Sequence, residues 1–322
     1  MLAGLALRAD PPPNYYAPAT GKTGADLRAA LHQIVRGHRV IPYSSSTKLD
    51  TSDALKWLDR MPGDTNRVTL IYGTNTATAA SFGTTAGWNR EHLWCDSYGL
   101  DGVEPAYSDL HNLRAIDATV NSARGNKFYD VSATNAASYK SPAAPEAGIG
   151  SSTDTDSWEP PPTQRGDIAR AVLYMSIRYT GDVSGEPRLV LTDATNLISA
   201  TTNFMGRFST LLKWHFADPV DESELRRNDE VCWLYQTNRN PFVDHPEFVA
   251  ASFIPPIHIA SLGTNVILTW TNDCTPTLPV AASEATSGPW RTLTNAPVLT
   301  NNLWRVTIPA PAAARFYGLT TP

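Results

Sequence analysis

Cysteine is scarce in this chain. The three present, Cys95, Cys232 and Cys274, cannot all pair within one molecule, so at most one disulfide forms, and their spacing makes no zinc knuckle. Long apolar runs are missing too. No stretch approaches the ~20 apolar residues of a membrane-crossing helix, so no membrane partner is expected. An excess of positive charge is also lacking: 26 Lys and Arg stand against 31 Asp and Glu, a net charge of −5. The field of the whole molecule does not draw a polyanion, and any anion site must rest on a local basic patch. Three catalytic signatures are absent as well. There is no glycine-rich phosphate loop, no serine nucleophile elbow, and no second histidine four residues from His92 to complete a zinc-protease pair.

What is there is ordinary globular material, 322 residues of which 42% are hydrophobic, enough for one large domain and a small one. The opening "MLAGLALRAD", residues 1–10, resembles the tail of a secretory signal peptide, which predicts secretion. Thr23 to His38 predicts a capped helix with Leu27, Leu31 and Ile34 on one face and a stop at Gly37. "SDALKWLDRMPGD" reads as a shorter helix and "NRVTLIYG" as a strand. Ser132 to Pro162, rich in Ala, Ser, Thr, Pro and Asp, reads as a long surface loop. Gln164 to Gly181 predicts a helix with a buried stripe of Ile168, Val172, Met175 and Tyr179, its arginines Arg165, Arg170 and Arg178 lying off that stripe. Two further helices follow, one ending near Phe216 and one from about Glu222 to Thr237.

Past "SFIPPIHIAS" the character changes to short alternating runs such as "VILTW" and "WRVTI", separated by Pro, Asn, Thr and Gly. That is the composition of a small β-sandwich. The expected organisation is therefore a main domain over 11–254 and a small all-β accessory domain over 255–322, whose partner the residues do not identify. The whole is expected to be a monomer.

Chemistry gathers in "WNREHLWCDSYG", where Glu91 and His92 are neighbours, and in "YSDLHNLRAIDATVNSARGNK". "DLHNLRAI" alternates as a strand should, and Asp117 is a good N-cap for a helix through "ATVNSARGN". An imidazole has a pKa near 6.5, so it is half neutral around neutral pH, as a general base must be. Carboxylate and amide oxygens suit hard cations rather than zinc. Arg114, Arg124 and Lys127 make the best nearby basic cluster, and guanidinium forks onto phosphate oxygens.

These motifs together resemble the endonuclease I family of secreted bacterial nucleases, in the His-Me finger (ββα-metal) superfamily. "NREH", "SDLHNLRAIDATVNSARGN", "RGDIARAVLYM" and "LLKWHFADPVDESELRRNDEVCWLYQTNRNPF" match in order, from about Tyr15 to Phe248. The resemblance implies an α+β fold: a ββα-metal core wrapped by helices. It implies a secreted endonuclease acting on DNA, with RNA as a further substrate, with little sequence preference and 5′-phosphate products. His92 matches the general base, and Glu91 and Asn121 match the ligands of one Mg2+, with Ca2+ or Mn2+ as alternatives. Members usually carry an arginine in the loop between the two finger strands, but "LWCDSYGLDGVEPAYSDL" has no Lys or Arg. Arg114, Arg124 and Lys127 are then the expected phosphate-binding residues, with Arg114 or Arg124 standing in for the loop arginine. Cys95 replaces a usual proline. Neighbours on a flat strand face opposite ways, so a site shared by Glu91 and His92 predicts irregular backbone at that pair. The competing reading is a surface-attachment protein on a nuclease fold that has lost activity, suggested by the acidic charge and the missing loop arginine.

Overall fold

The computed structural model describes residues 11–272, 278–311 and 313–320. The signal-like segment 1–10 and Cys274 lie outside the described residues. Cys95 and Cys232 are both buried free thiols.

The architecture is α+β. Helix α1, Gly24–Val35, buries Leu27 and Leu31 as expected, but Val35 fills the core in full while Ile34 is only partly buried, and Gly37 turns the chain at φ +69°, a conformation that favours glycine. Helix α2, Thr51–Leu58, begins on a capping box. The Asp50 carboxylate accepts from the amides of Ser52 at 2.8 Å and Asp53 at 3.2 Å, and Asp53 accepts from the Asp50 amide. Such a cap contributes about 1 kcal/mol.

After the first strands, Trp88–His92 pairs antiparallel with Leu113–Asp117, and α3, Ala118–Arg124, follows directly. Asp117 caps α3 by accepting from the amides of Thr119 at 2.7 Å and Val120 at 3.2 Å. The second strand starts four residues later than its alternating pattern suggests. The Asp109 carboxylate takes the His111 amide at 2.9 Å and the Asp109 carbonyl takes those of Asn112 and Leu113. This local turn outcompetes the ladder. His111 therefore sits in a turn, and Asp109 is a fully buried hub that also accepts from the phenols of Tyr174 and Tyr179 at 2.9 and 2.8 Å.

Residues 133–150 are irregular and largely exposed, as expected of a surface loop, but the segment then turns into the sheet. Ser157–Glu159 pairs with Ser152–Thr153 and with Phe128–Tyr129, and Trp158 is fully buried, edge-on to Tyr72 at 5.5 Å. The small polar residues there bond each other, as where the Asp154 carboxylate accepts from Ser157. A polar composition can be buried once its groups are paired.

Helix α4, Arg165–Arg178, is also more enclosed than its stripe implied. Arg170 and Arg178 are wholly buried rather than off the packed face. Arg170 pairs with Glu224 and donates to the Asp218 carbonyl at 2.8 Å, and Arg178 forks onto Glu186. The helix is central, with α1 on one side and α5, Phe208–Ala217, on another. Most of its surface meets protein, and the cations Arg170 and Arg178 that point inward must be paired there. Helix α6, Glu222–Glu230, widens into π-helical turns over Val231–Gln236. Two short helices close this body, α7 at Pro241–Asp244 and α8 at Glu247–Phe253.

Beyond α8 the regular elements among the described residues are all strands. His258–Leu262, Asn265–Thr271, Leu303–Pro309 and Val298–Thr300 form one sheet, and Arg291–Thr292, Val280–Ser283 and Phe316–Leu319 another. Leu268, Trp270, Val280, Val306 and Ile308 form a buried cluster between them, separate from the clusters of the helical body.

Candidate active site

The Trp88–His92 strand has one ladder partner, and its other edge is bridged by Phe82 at Trp88 alone, which leaves that edge open from Asn89 to His92 among the described residues. A cleft of about 390 Å³ runs along it, lined by four consecutive strand residues, Asn89 to His92. From α3 and the turn after it come Asn121, Arg124, Gly125 and Asn126, with Asp96, Tyr43 and Phe82 completing the wall. The register is regular through the pair of interest, Glu91 opposite Arg114 and His92 opposite Leu113. The irregular backbone expected at Glu91–His92 is absent. Side chains from the two faces share one space because that space lies at a sheet edge, where both faces end, and because the strand stops at His92.

His92 is 7% exposed. Its Nε2 lies 2.9 Å from the Tyr107 carbonyl. A carbonyl oxygen can only accept, so Nε2 carries the hydrogen and Nδ1 keeps its lone pair. The ring stacks with Tyr43 at 5.6 Å and leans on Tyr107 at 4.7 Å. Burial pushes the imidazole pKa down to about 4, opposed by the Tyr107 hydrogen bond. The ordinary value near 6.5 thus does not hold here, and His92 is neutral across the physiological range.

Glu91 is 2% exposed. Its Oε1 accepts from the Tyr72 phenol at 2.7 Å and lies 3.4 Å from Arg124 Nε. The latter is a charge contact rather than a directed hydrogen bond. Burial raises the carboxyl pKa, and Arg124 and Tyr72 oppose that rise. The Tyr72 phenol also bonds that of Tyr129, over whose ring Arg124 lies at 5.2 Å.

The expected phosphate-binding trio separates. Arg124 lines the cleft but is buried and committed, donating to the carbonyls of His92, Leu93 and Gly125 besides neutralising Glu91. Arg114 lies outside the cleft, among Asp167, Glu224 and Arg227. Burial and the Arg227 charge lower its pKa to about 10, against the pull of Asp59, Asp167 and Glu224. Lys127 is also outside and donates to the Ala123 carbonyl at 3.1 Å. Of the six residues expected at the site, Glu91, His92, Asn121 and Arg124 come together and two do not.

Comparison with known proteins settles the family. A model of the endonuclease I family matches residues 23–247. The chain belongs to the endonuclease I family. It is accordingly a nuclease, an enzyme that hydrolyses phosphodiester bonds. It is 44% identical over 236 residues to a protein of Bacillus amyloliquefaciens named extracellular ribonuclease, covering 73% of this chain and 76% of that one. A protein of the same name from Bacillus subtilis (strain 168) is 43% identical over 237 residues, with the same coverage. No solved structure matches the chain.

The cleft also holds residues that motif reasoning missed. Arg90 stands inside "NREH" itself, whereas the cations expected from the sequence were Arg114, Arg124 and Lys127 further along the chain. Of the two rings that cover the Arg90 guanidinium at 4.1 and 4.8 Å, Tyr43 arrives from a distant segment, and Phe82 from the stretch that bridges the start of the same strand. Tyr72 likewise reaches Glu91 across the fold.

Proposed function

We propose that this endonuclease I member is a secreted, metal-dependent enzyme with a ββα-metal core that cleaves RNA as well as DNA with little sequence preference. The observation that carries the reading is the convergence of Glu91, His92 and Asn121 on one cleft. Secretion and RNA as a substrate draw support from the name extracellular ribonuclease borne by the two Bacillus relatives. Among the described residues no helix is long and apolar enough to cross a membrane.

The donor set fits a hard cation. Tyr72 and Arg124 both address Oε1 of Glu91, which leaves Oε2 and the Asn121 amide oxygen as cleft-side donors. Carboxylate, amide and water are Mg2+ chemistry, with Ca2+ and Mn2+ as alternatives. Among the described residues no group of three or more His, Cys, Asp and Glu is gathered, so water would complete the shell. When bound, the ion stabilises the charge that grows on the leaving oxygen.

The chain's own work is to prepare the nucleophile. Nδ1 of His92 takes a proton from water as the water attacks phosphorus. The Nε2–H bond to the Tyr107 carbonyl strengthens as the ring becomes cationic, and stacking on Tyr43 and Tyr107 holds the ring plane. Cleavage leaves a 5′-phosphate and a 3′-hydroxyl. Residues 255–322 are read as an accessory β-sandwich unit, and the protein as a monomer.

The test is digestion of plasmid DNA and of RNA with Mg2+, with EDTA, and with His92→Ala. Cutting that needs the metal and falls by about 10²–10⁴-fold in the variant is expected. Equal cutting by the variant would remove His92 as the base.

A further inference from the structure

Arg90 is the cleft cation least committed to protein acceptors: among the described residues its Nε has none and its terminal NH2 makes only long contacts. It lies two residues before His92 on the same strand, so both side chains leave one face, with Cα atoms about 7 Å apart. Its guanidinium is held between two rings, Tyr43 at 4.1 Å and Phe82 at 4.8 Å. Tyr43 also stacks on the His92 ring, so one aromatic sets the plane of both groups. The side chain is 8% exposed, yet Nε has no hydrogen-bond partner among the described residues. The terminal NH2 touches Ser44 Oγ at 3.3 Å and stands 3.8 Å from an Asp50 oxygen. Asp50 is already occupied with capping α2. A buried cation with a fixed plane and unfilled donors is costly to keep unless something else pairs with it.

Arg124 offers no equivalent, since Glu91 and backbone carbonyls take its donors. Arg114 and Lys127 are outside the cleft. Arg90 is thus the cation placed beside the base, in a cavity otherwise lined by polar groups and aromatic faces.

We propose that Arg90, clamped between Tyr43 and Phe82, is a phosphate seat that binds the non-bridging oxygens of a nucleic-acid phosphodiester next to His92. This rests on the nuclease reading and names the residue that grips its substrate. A planar fork suits two phosphate oxygens, whereas a lysine there would keep the charge and lose the fork.

The test separates binding from cutting. A short fluorescein-labelled single-stranded oligonucleotide is titrated, in EDTA, with the intact protein and with Arg90→Gln, at a series of salt concentrations. The seat predicts about tenfold weaker binding by Arg90→Gln at low salt. It also predicts a slope of log affinity against log salt shallower by about 0.7, one phosphate contact on a single strand. Should Arg90→Gln fail to fold, judged by its circular dichroism, Arg90→Lys carries the test: the slope should persist while affinity drops several-fold. Unchanged affinity and slope in a folded Arg90→Gln, or unchanged affinity in Arg90→Lys, overturns the seat and leaves the nuclease reading standing. So does an intact protein that cuts with Mg2+ but does not bind the oligonucleotide in EDTA. An intact protein that neither binds nor cuts overturns the nuclease reading itself.

Discussion

The Tyr72 phenol donates to Oε1 of Glu91 at 2.7 Å from a backbone in the left-handed region, φ 64°. That conformation is unfavourable for a bulky residue. It is held from both sides, the Tyr72 amide donating to Gln164 Oε1 at 2.7 Å and its carbonyl accepting from Gly148 at 2.7 Å. Burial and the Glu91 charge push the phenol pKa well up, so Tyr72 stays a donor. Tyr72→Phe should keep the fold and free Oε1 to turn. The Mg2+ concentration needed for half-maximal cutting should rise about 10–100-fold, the usual consequence of losing a partner behind a ligand. A Mg2+ titration identical to that of the intact protein would show that Tyr72 does not orient the carboxylate.

Burial keeps His92 neutral. Its imidazole resonances, followed by NMR in the metal-free protein, should titrate with a midpoint near 4; a midpoint near 6.5 would contradict the enclosed ring. His111 extends the argument to stability. Burial and the Arg227 charge lower its pKa to about 3, against Asp109. Its folded value lies below its unfolded one, so between about pH 6.5 and 3 the unfolded chain takes up a proton that the native one refuses. The stability it contributes is complete above pH 6.5 and lost progressively below. The fall in urea midpoint from pH 7 to pH 5 should therefore be smaller in His111→Gln than in the intact protein.

Arg227 ties α6 to the strand Leu113–Asp117 and the turn before it. Its Nε meets Asp59 at 2.8 Å, and its terminal nitrogens donate to the carbonyls of Leu110 and Leu113 at 2.9 and 2.8 Å. Asp59 in turn accepts from the Ala115 amide at 2.7 Å, on the strand Leu113–Asp117. Arg227→Ala would leave the Asp59 carboxylate buried without its cation, at a cost of about 3–5 kcal/mol. Urea unfolding of the two proteins reads that difference directly.

The carboxy-terminal strands have their own buried cluster, so the nuclease body should survive their removal if the cut spares α8. Phe253 in α8 is buried against Phe208 at 5.4 Å and Phe242 at 5.8 Å, and the Ser252 carbonyl accepts from Arg28. A chain ending at Pro256 should cut plasmid at a rate within a few-fold of the intact protein. One ending at Ala250 loses Phe253 and should melt lower, by about 3–5 kcal/mol in stability. Loss of all cutting by the Pro256 form would mean that the strands belong to the active unit.

Local pattern and the order of its motifs were enough to place this chain in its family and to single out Glu91, His92 and Asn121 as candidates, which the fold brings to one cleft. Leu27 and Leu31 repeat at helical spacing, Asp117 caps the helix that carries Asn121, and both signals are read within a few residues of chain. What only tertiary structure decided lies across long separations. The neutrality of His92 comes from its burial and from the stacking of Tyr43 and Tyr107 on its ring. The free oxygen of Glu91 comes from Tyr72 and Arg124 sharing the other. The sorting of the arginines depends on which carboxylates and carbonyls reach each one first, so Arg114 goes to an inner ionic cluster, Arg124 to Glu91, and Arg90 to the cleft. A cation's partner is set by distance in space and by competition for acceptors, and neither is written in the spacing of residues along the chain.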